Sequence, residues 1–446
     1  MITMKKYKLE DLCKEIIDCP HSTPNWKSEG VRVIRNFNIK NGRLDFSDGY
    51  FVDEDSYKER TRRAIPEAND LVISREAPMG AVCIVPDNLK CCLGQRLVLL
   101  KIDDSICDSK YLLFSIQSDY VQKQIEVINK TGSIVSNLNI SDLKKLMIPY
   151  RSLPDQQKIA AVLSSLDDKI ALNNRINAKL EQMAKRLYDY WFVQFDFPVS
   201  CHSELVSESH SDEMLNQVQH DECAKPYKSN GGKMVWNEEL KREIPEGWKV
   251  KSINDISVSY RGVGYTADDE KSETDENVVL ILRGNNISNN HIVFDSNTVY
   301  LDKTFVSPDQ EIHKFDLVMT MSSGSKEHVG KSAMFLYDSS HSYGAFCNKI
   351  TPNEDCQYFL ENYLHSEYFK KYIKVTCSGT GINNLTNEHF DKAKFAFPDD
   401  EVLKAFNEKM NAIYEKRGIL EQENLKLTSM RDKLLPLLMN GQVVVE

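Results

Sequence analysis

The sequence predicts an α+β protein built twice: two similar mixed α/β globules joined by two long helices that pair as an antiparallel coiled coil, with pseudo-two-fold symmetry. Three observations predict it. A seven-residue apolar period runs from Pro154 to Phe192, the same period returns from Glu401 to Leu438, and matched segments in the two halves keep an offset of 246 to 250 residues.

The first globule spans residues 1–152. Val31–Ile34, Asp70–Ile73, Ala81–Val85 and Leu97–Ile102 are apolar runs of strand length, and Lys110–Ile128 has helical spacing. The central helix occupies 153–198. Ile159, Leu166, Asn173, Leu180 and Leu187 stand seven apart, with Val162, Lys169, Ile176, Met183 and Tyr190 expected to complete the seam. Pro154 suits a first turn, where an N–H has no helical acceptor, and Pro198 lies beyond the other end. Such a helix is roughly 55–60 Å long. Its narrow stripe cannot be buried by a compact core, so it needs a partner helix. Asn173, the polar member of its row, is expected to fix register, the alternative being a solvated helix end.

Residues 199–243 are polar, with Ser, His, Gln and a Gly pair, and read as a linker or insertion without chemistry. The second globule, 244–398, repeats the first. Ile34-Arg35-Asn36-Phe37-Asn38-Ile39 matches Leu282-Arg283-Gly284-Asn285-Asn286-Ile287, and Asp70-Leu71-Val72-Ile73-Ser74 matches Asp316-Leu317-Val318-Met319-Thr320. Gly80 and Gly94 match Gly330 and Gly344. The C-terminal helix, 399–446, carries Phe406, Ile413, Leu420, Leu427 and Leu434 seven apart and is expected to end at Pro436 and Gly441.

The composition, 41% hydrophobic and 27% charged, is that of an ordinary globular protein. No apolar run reaches the ~20 residues that span a bilayer. The N-terminus also lacks the apolar core of a secretion signal, so no membrane and a cytoplasmic location are expected. The eleven cysteines include no Cys-x-x-Cys pair and read as reduced packing thiols, with no metal site. The net charge is −10, yet much of the acidity sits in the linker and in the Asp268–Glu276 run. No region is strongly basic, so any phosphate neutralisation needs help from partners.

Two globules on a helical rod would suit a protein that reads two half-sites one to two DNA turns apart. Arg35, Asn36 and Asn38, with Arg283, Asn285 and Asn286, follow a strand and precede a turn. Arg and Asn pair bidentately with guanine and adenine edges, and Asn equally serves turn geometry. Ser74 and Arg75, and Ser322, Ser323 and Lys326, lie at the end of the next matched strand, as base or phosphate contacts or as a polar hairpin. Thr131 and Gly132, and Ser378, Gly379 and Thr380, offer small residues for phosphate contact or a flexible connector. Lys58, Arg60, Arg62 and Arg63, and Lys370, Lys371 and Lys374, are phosphate-contact candidates, the alternative being a solvated charged face. Gly324 to Ser332 resembles a phosphate-binding loop but has five residues between its glycines where that loop has four, and a strand-like run follows. No catalytic constellation is evident, and none is assigned.

Leu153-Pro-Asp-Gln156-Gln157-Lys-Ile159-Ala, Leu163-Ser-Ser-Leu166-Asp167-Asp168-Lys169-Ile170, Trp191-Phe-Val-Gln-Phe-Asp196 and Ile244-Pro-Glu-Gly-Trp248 together resemble the specificity subunit of type I restriction-modification enzymes, over nearly the whole chain. The resemblance implies a non-catalytic subunit. Its globules would be target-recognition domains on double-stranded DNA, and its helices would dock two methyltransferase subunits, joined by restriction/translocase subunits. It places S-adenosylmethionine, ATP and Mg on those partners and no cofactor in this chain. The second helix departs from the pattern, with Glu401-Val-Leu-Lys404-Ala where the first has Gln156-Gln157-Lys158-Ile159-Ala160. The competing reading is a coiled-coil adaptor whose two globules bind proteins.

Overall fold

The computed structural model describes residues 5–47, 49–131, 137–199, 225–294, 298–325, 327–376 and 383–445. It divides into two units, Met1–Asn173 with Glu423–Glu446, and 174–422.

In the first unit an antiparallel sheet runs in the order Cys13–Asp18, Leu97–Ile102, Leu71–Ser74, Val82–Ile84. A second sheet sets Val31–Ile34 between Phe51–Val52, antiparallel, and Cys91–Leu93, parallel. Every residue of Leu71–Ser74 is buried, as a central strand covered on both faces requires. The expected helix Lys110–Ile128 is two helices, Ser109–Gln117 and Asp119–Thr131. Ser118 breaks it, with extended backbone and its hydroxyl donated to the Ser115 carbonyl.

The second unit repeats this plan strand for strand. Its four-stranded sheet runs Ser257–Arg261, Cys347–Pro352, Leu317–Thr320, Ser332–Met334, all antiparallel. Its three-stranded sheet sets Val278–Leu282 between Val299–Asp302, antiparallel, and Ser342–Tyr343, parallel. The strand at Ser332–Met334 follows the Gly324 loop where a phosphate-binding loop would need a helix. Each globule closes with a strand pair just before its long helix: Lys6–Lys8 with Met147–Pro149, and Lys249–Ser252 with Lys394–Phe397.

The long helices are Leu153–Tyr188, continued by a π-helical turn at Asp189–Val193, and Asp400–Asn440. Within each unit they run antiparallel. In the first, Asp167 meets Arg431 (3.1 Å) and Asn173 donates to Asn424 (3.0 Å) and Glu423 (2.8 Å). In the second, Glu181 meets Arg417 (3.1 Å) and Trp191 meets Phe406, with ring centroids 5.5 Å apart.

Two sequence expectations need correction. Met183 and Tyr190 are exposed, Met183 at 55%, and Lys169 is exposed at the edge of the pair, 3.4 Å from Glu423 of the C-terminal helix. The second packed row is instead Gln156, Leu163, half-buried Ile170, Asn177, Ala184 and Trp191, also seven apart but one residue later. Polar Gln156 and Asn177 and small Ala184 hid it. Pro436 does not end the C-terminal helix, which continues to Asn440. Leu438 and Met439 bury against Tyr111, Phe114, Ile159 and Leu163, and that packing holds the last turn. Of the expected linker 199–243, residues 200–224 lie outside the described residues, while Lys225–Pro226 pairs with Pro198–Val199 and Met234–Asn237 with Arg242–Pro245.

Candidate nucleic-acid interface

Each globule builds the same turn at the end of its matched strand. Arg35 N donates to Asn38 Oδ1 (2.9 Å), and Asn38 Nδ2 donates to the Asp45 carbonyl (2.8 Å). In the repeat, Arg283 N donates to Asn286 Oδ1 (2.9 Å) and Asn286 Nδ2 to the Val293 carbonyl (3.0 Å). Asn38 and Asn286 are 2% and 0% exposed and spend their amides on backbone, so the structure supports their turn-forming reading. The lock fixes the arginine that opens each turn.

The surroundings of the two arginines differ. The Arg35 guanidinium lies 4.3 Å from the ring centres of Phe37 and Tyr50 and 5.2 Å from that of Trp26, a cation–π cage. Asn36 donates to the Ala77 carbonyl (2.7 Å) in the next loop. That loop is braced from below. Ser74 is fully buried and donates to the Glu76 carbonyl, while Arg75 donates to the Leu138 carbonyl and to both Asp18 oxygens, each at 3.0 Å. Ser74 and Arg75 therefore position the loop.

In the second unit Arg283, Asn285, Ser322 and Ser323 come together around one cavity of about 520 Å³, also lined by Tyr265, His328, Phe346 and Cys347. Burial raises the Tyr265 phenol above its usual range and pushes the Cys347 thiol up to about 12, so both stay neutral. Ser322–Ser323 pairs as a strand with Asn383–Asn384, which holds the cavity wall. Trp26 and Tyr50, and Tyr265, His328 and Phe346, were missed from sequence. The signal available for Phe346 was its place two residues after the matched Gly344.

A family model described as the type I restriction modification DNA specificity domain matches residues 1–182 and 245–429. The chain belongs to this family. It is 25% identical over 397 residues to the type I restriction enzyme MjaIX specificity subunit of Methanocaldococcus jannaschii, covering 89% of this chain and 82% of that one. It is 29% identical over 378 residues to the HindI specificity subunit of Haemophilus influenzae, covering 79% and 81%. The crystal structure of the type I restriction-modification S subunit from M. genitalium shares the fold, with a TM-score of 0.52 at 16% identity over 98% of this chain and 97% of that one.

Two of the segments that carried the resemblance to the specificity family, Trp191–Asp196 and Ile244–Trp248, pack on one another within the second unit. Trp248 lies 5.3 Å from Phe195, 5.2 Å from Phe197 and 5.9 Å from Phe192, ring centre to ring centre. Asp196 accepts from the Ser229 amide and hydroxyl, both at 2.7 Å. Gln156 accepts from Asp108 N and donates to the Ile106 and Arg151 carbonyls, tying the helix start to its globule.

The basic candidates separate by burial. Arg60 is buried, donating to the Leu93, Ser22 and Pro20 carbonyls, which corrects its expected phosphate role. Lys58, Arg62 and Arg63 are exposed, with Lys58 3.6 Å from Asp55 and Arg63 donating to the Asp18 carbonyl. Lys370, Lys371 and Lys374 line the exposed face of Glu367–Thr376. Gly132, Lys326, Ser378, Gly379 and Thr380 lie outside the described residues, and Thr131 ends its helix. Among the described residues no group of three His, Cys, Asp or Glu could hold a metal, and no helix is long and apolar enough to cross a membrane.

A charged cluster unforeseen in the sequence lies in the second unit. Arg417 bridges Glu181 and Glu361 (3.5 Å), His291 sits 3.0 Å from Glu181, and Tyr414 donates to Glu361. Burial pushes the Glu421 carboxyl up to about 7, and the hydrogen bond to Glu181 raises His291.

Proposed function

We propose that this chain is the non-catalytic DNA-reading subunit of a type I restriction-modification complex, recognising a bipartite, asymmetric target with one globule per half-site. The observation that carries this reading is the repeated Asn-locked arginine turn with diverged surroundings: Arg35 among Trp26, Phe37 and Tyr50, and Arg283 beside Asn285, Ser322 and Ser323. One scaffold with two side-chain sets suits two different base sequences. Two methyltransferase subunits dock on the long helices, and the exposed Met183, Tyr190 and Val193 support such a contact. Restriction/translocase subunits join that complex. S-adenosylmethionine, ATP and Mg belong on those partners.

The test maps methylated positions in a host with and without this chain, then with residues 244–398 exchanged for those of a relative. The expected result is a two-part motif of which only one half changes on exchange. A complex that binds every duplex equally would sink the proposal, and an unchanged motif after exchange would favour the protein-binding adaptor.

A further inference from the structure

The Gly344–Cys347 turn is the one part of the cavity wall that projects a large apolar group into water. Phe346 is 70% exposed, the most exposed aromatic ring among the described residues. A lone exposed ring needs no explanation. This one is distinguished by its mount and its neighbours. Cys347 N donates to the Gly344 carbonyl (2.8 Å), the Phe346 carbonyl accepts from Met321 N (2.9 Å) and Ser322 N (3.2 Å), and Gly262 N donates to the Cys347 carbonyl (3.1 Å). The backbone is clamped while the ring is free, so insertion elsewhere costs little ordering entropy. Arg283, Asn285, Ser322 and Ser323 stand around the same cavity.

The first globule differs at the matched position in backbone as well as side chain, with φ at 67° there and no left-handed φ at Phe346. Arg96 occupies the matched position, its carbonyl accepts from Arg75 N (2.8 Å), and its guanidinium lies 3.0 Å from Glu76. A charged guanidinium paired with a carboxylate offers no apolar wedge at that position.

We infer that Phe346 is an apolar wedge that enters the base stack of the half-site read by the second globule, and that the first globule reads its half-site without one. This rests on the DNA-reading role proposed above. Part of the second half-site would then be selected by how easily one base step opens, at positions no side chain hydrogen-bonds.

The experiment uses the full chain assembled with its methyltransferase subunits and duplexes of the mapped target. Each duplex carries 2-aminopurine at one position of the second half-site. Binding of the wild-type complex should raise fluorescence several-fold at one step. Phe346→Ala should abolish that rise and weaken binding roughly tenfold or more, the loss expected for one base–aromatic contact. Phe346→Leu, still an apolar wedge, should keep the rise. Penalties for mismatches in the first half-site should be the same for all three proteins. A Phe346→Ala complex that binds and fluoresces like wild type would overturn the inference, while continued rejection of second-half mismatches leaves DNA reading standing. A wild-type complex indifferent to the second half-site would remove both.

Discussion

Asn38 and Asn286 each hold a backbone amide and a backbone carbonyl together, and an alanine at either position strands both groups. Asn286→Ala should therefore destabilise the second unit by about 1–3 kcal/mol. Asn285→Ala, next to it in the chain but exposed, should cost less than Asn286→Ala and alter the second half-site instead. Urea denaturation together with methylation mapping separates the two. The Arg-Asn pattern was legible in the sequence, but its division into structural and outward-facing members was not, because adjacent asparagines differ only in the burial that tertiary packing imposes. Arg60 shows the same limit: a run of four basic residues spans a helix end, and one of them has to point inward. The Glu421 and His291 cluster was invisible for a stronger reason, since its members come from separate segments more than fifty residues apart. Both groups titrate higher in the folded chain, so the native unit holds protons that the unfolded chain releases. Their stabilisation is present at low pH and lost as pH rises, for Glu421 between its unfolded range of about 4.5 and its folded value near 7, and for His291 above about 6.5. The midpoint of thermal unfolding should fall as pH rises above about 6.5, since below that pH the buried His341 and His365, held under their usual range, add stability as pH rises and oppose Glu421. Glu421→Gln should flatten the lower part of that fall, and an unchanged profile would exclude Glu421 as its source.

At the scale of elements, the helices were legible because a seven-residue period survives any single substitution. Which second row completed the seam was not. Counting apolar residues favours Met183 and Tyr190, whereas the packed row contains Gln156, Asn177 and Ala184. In an antiparallel pair, a small residue such as Ala184 lets the partner approach, and Gln156 spends its amide on Asp108 N and the Ile106 and Arg151 carbonyls, so packing overrides hydrophobicity. Leu163→Ala should cost about 2–5 kcal/mol, since its side chain is fully buried against Tyr111, Phe114 and Leu438. Met183→Ala should cost less than about 0.5 kcal/mol in the isolated chain. If the two costs were reversed in denaturant titrations, the row first read from the sequence would be the packed one. Met183→Ala should instead reveal itself as weakened co-purification of the methyltransferase subunits if the exposed face docks them.

At the scale of the whole molecule, duplication was the most legible feature, because matched glycines and strand ends at one offset demand matched topology, and the two four-stranded sheets share one strand order. The place where the chain divides was not legible. Each long helix passes from one unit into the other, with the boundary at 173/174 in the first and 422/423 in the second. On the proposed bipartite reading, covalent continuity through both helices makes them the natural measure of a spacer between half-sites. One heptad inserted at both boundaries keeps the seam facing its partner and adds roughly 10 Å, the rise of about three base pairs. The methylated target should then keep both half-sites and gain a spacer longer by about three base pairs. The same insertion in one helix alone puts the two rows out of step beyond it and should abolish target methylation. A spacer that stayed unchanged after the double insertion would mean that something other than the helices, such as the docked methyltransferase subunits, sets the distance.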